Sequence, residues 1–357
     1  MNIIIDIGHP AHVHVFRNYY TEMTSQGHVV HFTCRDKECT IQLLEHYRLP
    51  FTRIGKPFKG TITKLLGLFV FGWRIRQVAL AHDADLFMSI SSMYAAQCAW
   101  LMRKEHIVLD DTEHSGFEHM LYRPFSSIIL TPSCFEKHMG RKQVRYDGFH
   151  ELAYLHPDRL DPDHHIRVKL GIPTNEKFAL LRFVSWNAAH DRNANGLSLA
   201  AKTDLINRLE KHCHVLISAE GALPAELESR RIRIAPQDMH SVLNEASLYV
   251  GEGASMASEC AMLGTPAIYI NSLNAGTLRE QESYGLVHSF RTGDGVAEEA
   301  ELIISQSNVK ESYRERAAMM VLEKVDVTSM LVDISLGYVQ ENVKTAPVRY
   351  TKLKVAG

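Results

Sequence analysis

Three histidines stand close together near the amino end, in Gly8-His9-Pro10-Ala11-His12-Val13-His14. An imidazole titrates near neutrality, so such a group can take or give a proton at physiological pH. A second cluster, Asp110, Asp111, Glu113 and His114, follows the apolar run His106–Leu109. Carboxylates at a strand end can act as general bases, or can simply stabilise a helix N-terminus. The two clusters together contain zinc or manganese ligand types, but their spacing follows no regular metal signature, and no metal is expected.

A third stretch runs from Leu248 to Ile270, LYVGEGASMASECAMLGTPAIYI. It reads as a strand ending at Gly251, a turn at Gly253, a helix carrying Ser258 and Glu259 in its early turns, and a stop at Gly264. Glycines let a backbone approach closely, and the free N–H groups of a helix N-terminus can hold an anion such as a diphosphate. Glu259, one turn in, is placed to accept two ribose hydroxyls. The spacing also fits an ordinary strand–turn–helix with an exposed glutamate. A fourth stretch, Ser185-Trp-Asn-Ala-Ala-His-Asp191, follows another strand. There Trp186 can stack on a sugar, and Ser185, Asn187 and His190 can bind hydroxyls or phosphate. Arg182, inside an apolar strand, calls for a carboxylate or phosphate opposite it.

These residues need strand ends to carry them. Apolar, β-branched runs read as buried parallel strands over Asn2–Ile7, His28–Cys34, Phe51–Ile54, Leu86–Ile90, His106–Leu109 and Ser127–Leu130. Helical patterns alternate with them over His14–Gln26, Ile41–Tyr47, Ile62–His82 and Ala95–Arg103. His14 is expected to begin the first helix. Glu151–Pro173 holds three prolines and many charges and reads as an interdomain connection. The alternation then restarts, with strands Phe178–Phe183, His214–Ser218, Ile232–Ile234, Leu248–Val250 and Ala267–Ile270. Helices are expected over Leu197–His212, Met239–Ala246, Ser255–Leu263, Ala297–Gln306, Ser312–Lys324 and Val327–Gln340. The expected architecture is α/β, with two Rossmann-like domains facing a cleft: 1–155, 156–325, and a 326–357 tail whose helix packs back on the first domain. In such sheets ligands sit beyond the carboxyl ends of the strands, which puts the histidine, acidic and tryptophan loops at the cleft.

Composition narrows the function. The chain has 357 residues, 45% hydrophobic and 22% charged, which suits a folded protein of about two domains. Lys plus Arg is 39 against Asp plus Glu 41, a net charge of −2, so the basic surplus expected of a duplex-binding protein is missing and no nucleic-acid partner is expected. The six cysteines are scattered without a CxxC pair, as in a reduced cytoplasmic protein. No signal-peptide pattern and no apolar run long enough to span a bilayer are present. The segment from His46 to His82 is unusual. It has seven basic residues (Arg48, Arg53, Lys56, Lys59, Lys64, Arg74, Arg76) and no acid, around the apolar run Leu65–Trp73. Such a segment suits peripheral contact with the inner face of a membrane, or a core helix with a solvated basic rim.

The Gly253-Ala-Ser-Met-Ala-Ser-Glu259 stretch with Leu263-Gly-Thr-Pro266 resembles the donor-nucleotide motif of GT-B enzymes. It is similar to the N-acetylglucosaminyl transferase that makes lipid II and to the non-hydrolysing UDP-N-acetylglucosamine 2-epimerases. Asp6–Phe16 and Arg182–Asp191 resemble, more specifically, the family called domain of unknown function 354. The resemblance spans nearly the whole chain. It implies that Glu259 holds the ribose, and that Gly253, Ala254 and Ser255, with Met256 and Ser258 beside them, hold the pyrophosphate. It implies that Ile234–His240, including Met239, borders the base. His12 matches the histidine closing the transferases' first loop, which implies a general base or a substrate hydrogen-bond partner; His9 is the next candidate. Asp111 and Glu113 lie near the depth of a strand-end acid of the epimerases. The epimerases' other acid has no match here, where Ser89-Ile-Ser-Ser92 stands instead.

The expected function is a GT-B glycosyltransferase of glycan or glycolipid synthesis, using a UDP-sugar donor, no cofactor, and a lipid-linked or soluble acceptor. A sugar-nucleotide 2-epimerase and a noncatalytic sugar-nucleotide-binding protein are the alternatives.

Overall fold

The computed structural model describes residues 1–58, 61–183, 197–219, 221–272 and 275–340. The loop with Ser185, Trp186, Asn187 and His190 lies outside the described residues. The chain divides into two compact units, Met1–Arg159 with Lys324–Gly357, and Leu160–Glu323.

The first unit alternates strands and helices: β1 (Asn2–Ile7), α1 (Pro10–Ser25), β2 (Val29–Cys34), α2 (Thr40–His46), β3 (Phe51–Arg53), α3 (Thr61–Ala81), β4 (Leu86–Ile90), α4 (Met93–Leu101), β5 (Glu105–Leu109), α5 (Gly116–Tyr122), β6 (Ile128–Pro132), β7 (Gln143–Tyr146) and α6 (Leu152–Leu155). The strands form one sheet in the order β3-β2-β1-β4-β5-β6-β7, and every pairing is parallel. The β1 sequence NIIIDI is buried from Ile3 to Ile7 because helices cover both faces of a parallel sheet. The order reverses between β1 and β4, and the crevice beyond their carboxyl ends is where such a sheet binds ligands.

In the second unit come α7 (Ile166–Leu170), β8 (Phe178–Arg182), α8 (Leu199–Leu209), β9 (His214–Ile217), α9 (Met239–Glu245), β10 (Leu248–Gly251), α10 (Ala254–Leu263), β11 (Ala267–Ile270), α11 (Gly276–Ser283), β12 (Val287–Phe290), α12 (Val296–Ser305) and α13 (Val309–Leu322). The order is β12-β11-β10-β8-β9, again all parallel. Its reversal lies between β8 and β10. The last helix, α14 (Val327–Gln340), belongs to the first unit. There Tyr19 donates to Ser335 Oγ at 2.8 Å, Thr328 donates to the Ala153 carbonyl at 2.9 Å, and Arg159 Nε reaches both oxygens of Asp326 at 2.8 and 2.9 Å.

The observed elements differ from the expected ones in several places. The first helix starts at Pro10, not His14. Proline has no N–H to lose in a first turn, and His9 caps the helix by accepting from the Ala11 N–H at 3.2 Å. The "histidine loop" is therefore mostly helix, with His12 and His14 on α1. The division between the units, Arg159 to Leu160, falls inside Glu151–Pro173 as expected of a connection, and the segment also contains the buried α6, and α7, which ends on Gly171 at φ 69°. Ile232–Ile234 forms no strand; just before it Arg231 makes an isolated bridge with Ile217, and the Ile232 N–H donates to the Ile217 carbonyl at 3.0 Å. A proline-led 3-10 turn follows immediately, at Pro236–Asp238. Finally β7, α5, α11 and β12 are elements too short or too polar to stand out in the sequence; β7 reads only QVRY.

The apolar run of α3 serves both sides of its helix. Phe71, Ile75 and Ala79 are buried in the core with Phe87, Tyr94 and Val108, whereas Phe69 is 80% and Trp73 61% exposed. Among the described residues, no helix is long and apolar enough to cross a membrane. All six cysteines are free thiols, and burial pushes those of Cys34, Cys98 and Cys213 up to about 12.

Candidate functional sites

In the first unit the switch point is built on Asp6, fully buried near the end of β1. Its Oδ1 accepts from Thr33 at 2.9 Å and its Oδ2 from Ser92 at 2.5 Å. Arg35 Nη1 lies 3.0 Å from Oδ2 and 3.3 Å from Oδ1. Arg35 itself is buried over the Tyr94 ring, 5.1 Å from its centroid. A Cβ at Gly8 would meet its guanidinium at 2.8 Å, so any larger residue there would have to shift the Arg35 side chain. Ser92 also caps α4, accepting from the Ala95 N–H at 3.2 Å, and Ser91 beside it takes φ 51°, the left-handed region that side chains avoid.

His12 sits above this network. Its Nδ1 accepts from the Gly8 N–H at 3.3 Å, which leaves the proton of the neutral ring on Nε2. Burial, then the nearby His9 and Arg35 charges, push its pKa well below the usual imidazole value, while Asp111 opposes them. His9 is committed to its capping role and lies 3.6 Å from Glu38.

The acids after β5 divide. Asp110 is fully buried and accepts from Tyr122, from the Thr112 N–H at 2.8 Å, and approaches His119 at 3.2 Å, so it holds the loop. Glu113 is buried against the Glu136 N–H at 3.4 Å. Asp111 instead pairs with His150, Nδ1 to Oδ2 3.2 Å. The structure thus brings His12, Asp111 and His150 together at one end of the sheet, where each feels the others' charge.

In the second unit, Arg182 and Gly251 are register partners at the ends of β8 and β10. The half-buried Arg182 donates to Ser218 Oγ at 2.7 Å, and its carbonyl accepts the Glu252 N–H at 3.2 Å. A Cβ on Gly251 would lie 2.7 Å from that carbonyl and 2.2 Å from the Tyr249 hydroxyl, so only glycine fits. Gly253 then caps α10 without a side-chain bond, which leaves the first-turn amides of Ala254, Ser255 and Met256 without a capping acceptor from it. Gly253 and Ser255 are exposed. Glu259 is buried and meets His240 of α9, Nε2 to Oε1 3.1 Å. Ser258 is buried and accepts from Gln281 of α11 at 2.7 Å, a contact between helices. Met239, at the start of α9, is half-buried. Among the described residues, no group of three or more His, Cys, Asp or Glu stands together as a metal site.

A family model described as "Protein of unknown function (DUF354)" matches residues 1–339. The chain belongs to the DUF354 family. The uncharacterized protein MJ0665 of Methanocaldococcus jannaschii is 24% identical over 285 residues, covering 75% of this chain and 81% of that protein. Among solved structures, this DUF354 chain is similar to the UDP-GlcNAc 2-epimerase of Neisseria meningitidis bound to UDP-GlcNAc, with TM-score 0.68, 11% identity, and coverage of 95% of this chain and 100% of that one. It is also similar to SsfS6, a glycosyltransferase of Streptomyces sp. SF2575, with TM-score 0.57, 13% identity, and coverage of 93% and 99%. At such identities the likeness shows the fold, which is GT-B: two parallel-sheet α/β units with helices.

Sequence reasoning missed Asp6, Arg35, His150 and His240. Asp6 carried a signal, a lone carboxylate inside an isoleucine run. His150 carried none, because its partner lies two strands earlier in the chain.

Proposed function

We propose that this DUF354 protein is a nucleotide-sugar enzyme that moves a sugar from a nucleoside diphosphate to an acceptor hydroxyl, inverting the anomeric carbon. The observation that carries this is α10. Its N-terminus has no capping side chain, the glycine before the turn tolerates no Cβ, and a buried carboxylate, Glu259, waits just over one turn inside. Amides at a helix N-terminus stabilise diphosphate charge, both on binding and as the leaving group develops. In this reading Gly253, Ala254, Ser255 and Met256 hold the diphosphate, Glu259 accepts two ribose hydroxyls with His240 fixing its carboxylate, and Met239 borders the base. His12 and the Asp111 pair of the first unit serve the acceptor, and no cofactor is needed. The Neisseria epimerase bound to UDP-GlcNAc shares this fold over nearly the whole chain, which supports the donor class. Because α3 exposes Phe69 and Trp73 within a stretch rich in basic residues, the acceptor is proposed to be lipid-linked.

A 2-epimerase is the second reading, favoured by the higher TM-score of the epimerase, 0.68 against 0.57. Such chemistry needs paired acid–base groups around one sugar carbon. After β4 the chain offers Ser91 and Ser92, and the carboxylate bonded to Ser92, Asp6, is neutralised by Arg35. Acceptor-dependent UDP release from a panel of UDP-sugars supports transfer; interconversion of UDP-GlcNAc without acceptor supports epimerisation; binding of UDP with neither overturns both.

A further inference from the structure

A cavity of about 370 Å³ lies beyond the carboxyl ends of β11 and β12, wholly within the second unit. Small-ligand pockets span about 300–1,000 Å³, so the space suits a compact ligand. The buried Tyr269 and Leu278 and the half-buried Phe290 give it an apolar wall. Its polar lining includes Asn271, Arg279, Glu282, Ser289 and Arg291. The last four are exposed, so a ligand arriving from solvent can meet them.

Two strand ends and one helix bring these groups together. β11 and β12 are parallel neighbours with Ile270 and Phe290 in register, so Asn271 and Arg291 follow the two ends side by side. Arg279 comes from the first turn of α11, the helix that joins the two strands. The cavity also adjoins the turn ahead of α10. The Asn271 side chain donates to the Glu252 carbonyl at 3.3 Å, and Glu252 stands between Gly251 and Gly253. β10 and β11 are adjacent strands, about 4.8 Å apart. A sugar joined to a diphosphate on the α10 N-terminus therefore reaches this space.

The lining groups differ in what they can bind. Glu282 accepts the Ser289 N–H at 3.3 Å and, like the Asn271 amide oxygen, can accept from sugar hydroxyls. Two guanidinium groups against one carboxylate give the lining a positive balance. Arg291 makes no hydrogen bond or ion pair among the described residues. A guanidinium offers two parallel N–H groups that match a carboxylate, and such charge-assisted pairs are about twice as strong as neutral ones. A neutral hexose would bring Arg291 no counter-charge.

We propose that this cavity is the subsite for the donor's sugar, and that Arg279 and Arg291 select a hexose bearing a carboxylate, a hexuronic acid. The assignment rests on the nucleotide-sugar reading above and narrows it to nucleotide uronates.

Calorimetry with UDP, UDP-glucose and UDP-glucuronate tests it. The two sugars differ only at C6, where a carboxylate replaces a hydroxymethyl group. UDP-glucuronate is expected to bind at least about tenfold more tightly than UDP-glucose, and high salt should narrow the gap. UDP-galacturonate against UDP-galactose repeats the comparison with the C4 hydroxyl inverted, so that one misplaced hydroxyl does not mask the carboxylate. The preference is expected in at least one pair. Arg291→Gln should remove most of it and leave the affinity for UDP unchanged. Arg291→Lys keeps the charge without the fork and should retain part of it. Because both arginines are exposed, the variants should melt with the wild type. Equal affinity for uronate and hexose in both pairs, or a preference that survives Arg279→Gln combined with Arg291→Gln, overturns the proposal while the nucleotide-sugar reading stands. If the wild type does not bind UDP, that reading itself fails, and this subsite falls with it.

Discussion

Replacing Asp6 by asparagine keeps the shape of the side chain and removes its charge. In the native protein that carboxylate is fully buried and takes hydrogen bonds from Thr33, Ser92 and Arg35. The amide turns an NH2 toward one of those donors and leaves the Arg35 guanidinium, itself 8% exposed, without a counter-charge. Breaking a buried pair from one side costs about 3–5 kcal/mol, because the remaining charge has been taken out of water and is no longer compensated. Against a total stability of about 5–15 kcal/mol, that is a large fraction. Urea unfolding at pH 7 reads it as a fall in midpoint. Arg35→Met alone should cost a similar amount. The double variant should cost at least about 2 kcal/mol less than the sum, since neither charge is then stranded. Arg35→Met should also raise the His12 pKa, because Arg35 is among the charges that lower it. A loss below about 1 kcal/mol for Asp6→Asn, or strict additivity in the double variant, would refute the claim that this pair anchors the switch point.

Three further expectations are independent of it. His106 is fully buried between Ser89 and Ser126, 2.9 and 3.0 Å away, and burial lowers its pKa to about 3. Its contribution to stability is whole above the unfolded value near 6.5 and is lost as pH falls from there toward 3, which amounts to about 2 kcal/mol between pH 8 and pH 5. His106→Gln should flatten that slope in thermal melts, and an unchanged slope would contradict the buried neutral ring. Gly251→Ala should destabilise by about 1–3 kcal/mol, the range for overpacking, because one neighbour is the Arg182 backbone; a neutral melt would mean the β10 end is looser than described. If α3 docks on lipid, wild type should float with anionic liposomes at low salt, each basic residue near the surface adding about 1 kcal/mol. Phe69→Ser with Trp73→Ser, or high salt, should abolish flotation, and a wild type that stays with the soluble fraction would favour a soluble acceptor.

Much of the architecture is legible because parallel strands buried on both faces announce themselves as apolar runs, as Asn2–Ile7 and Phe178–Arg182 do. Gly251, Gly253 and Gly264 likewise mark the ends of β10 and α10 from local chemistry alone. What stays hidden is non-local or short. Pro10 hid the start of α1 because its permissive place in a first turn looks like a break when read as a loop. Ile232–Ile234 has strand-forming residues but lacks a full ladder beside it. The pairing of Asp111 with His150 depends on the register of β5, β6 and β7, which no local pattern encodes. His240 lay within the segment matched to the base, yet only the packing of α9 on α10 turns it toward Glu259.

The central claim is that α10 is a nucleotide diphosphate site with Glu259 as its ribose acceptor. Titration calorimetry with UDP, on wild type and Glu259→Gln, tests it most directly. The conservative variant spares the packing against His240, and a matched melting temperature verifies the fold. Hydrogen bonds to a charged group are worth about 1.5–3 kcal/mol, so the variant should bind UDP about 10- to 150-fold more weakly than wild type. Equal affinity in the two proteins, or no UDP binding by the wild type, would contradict the account.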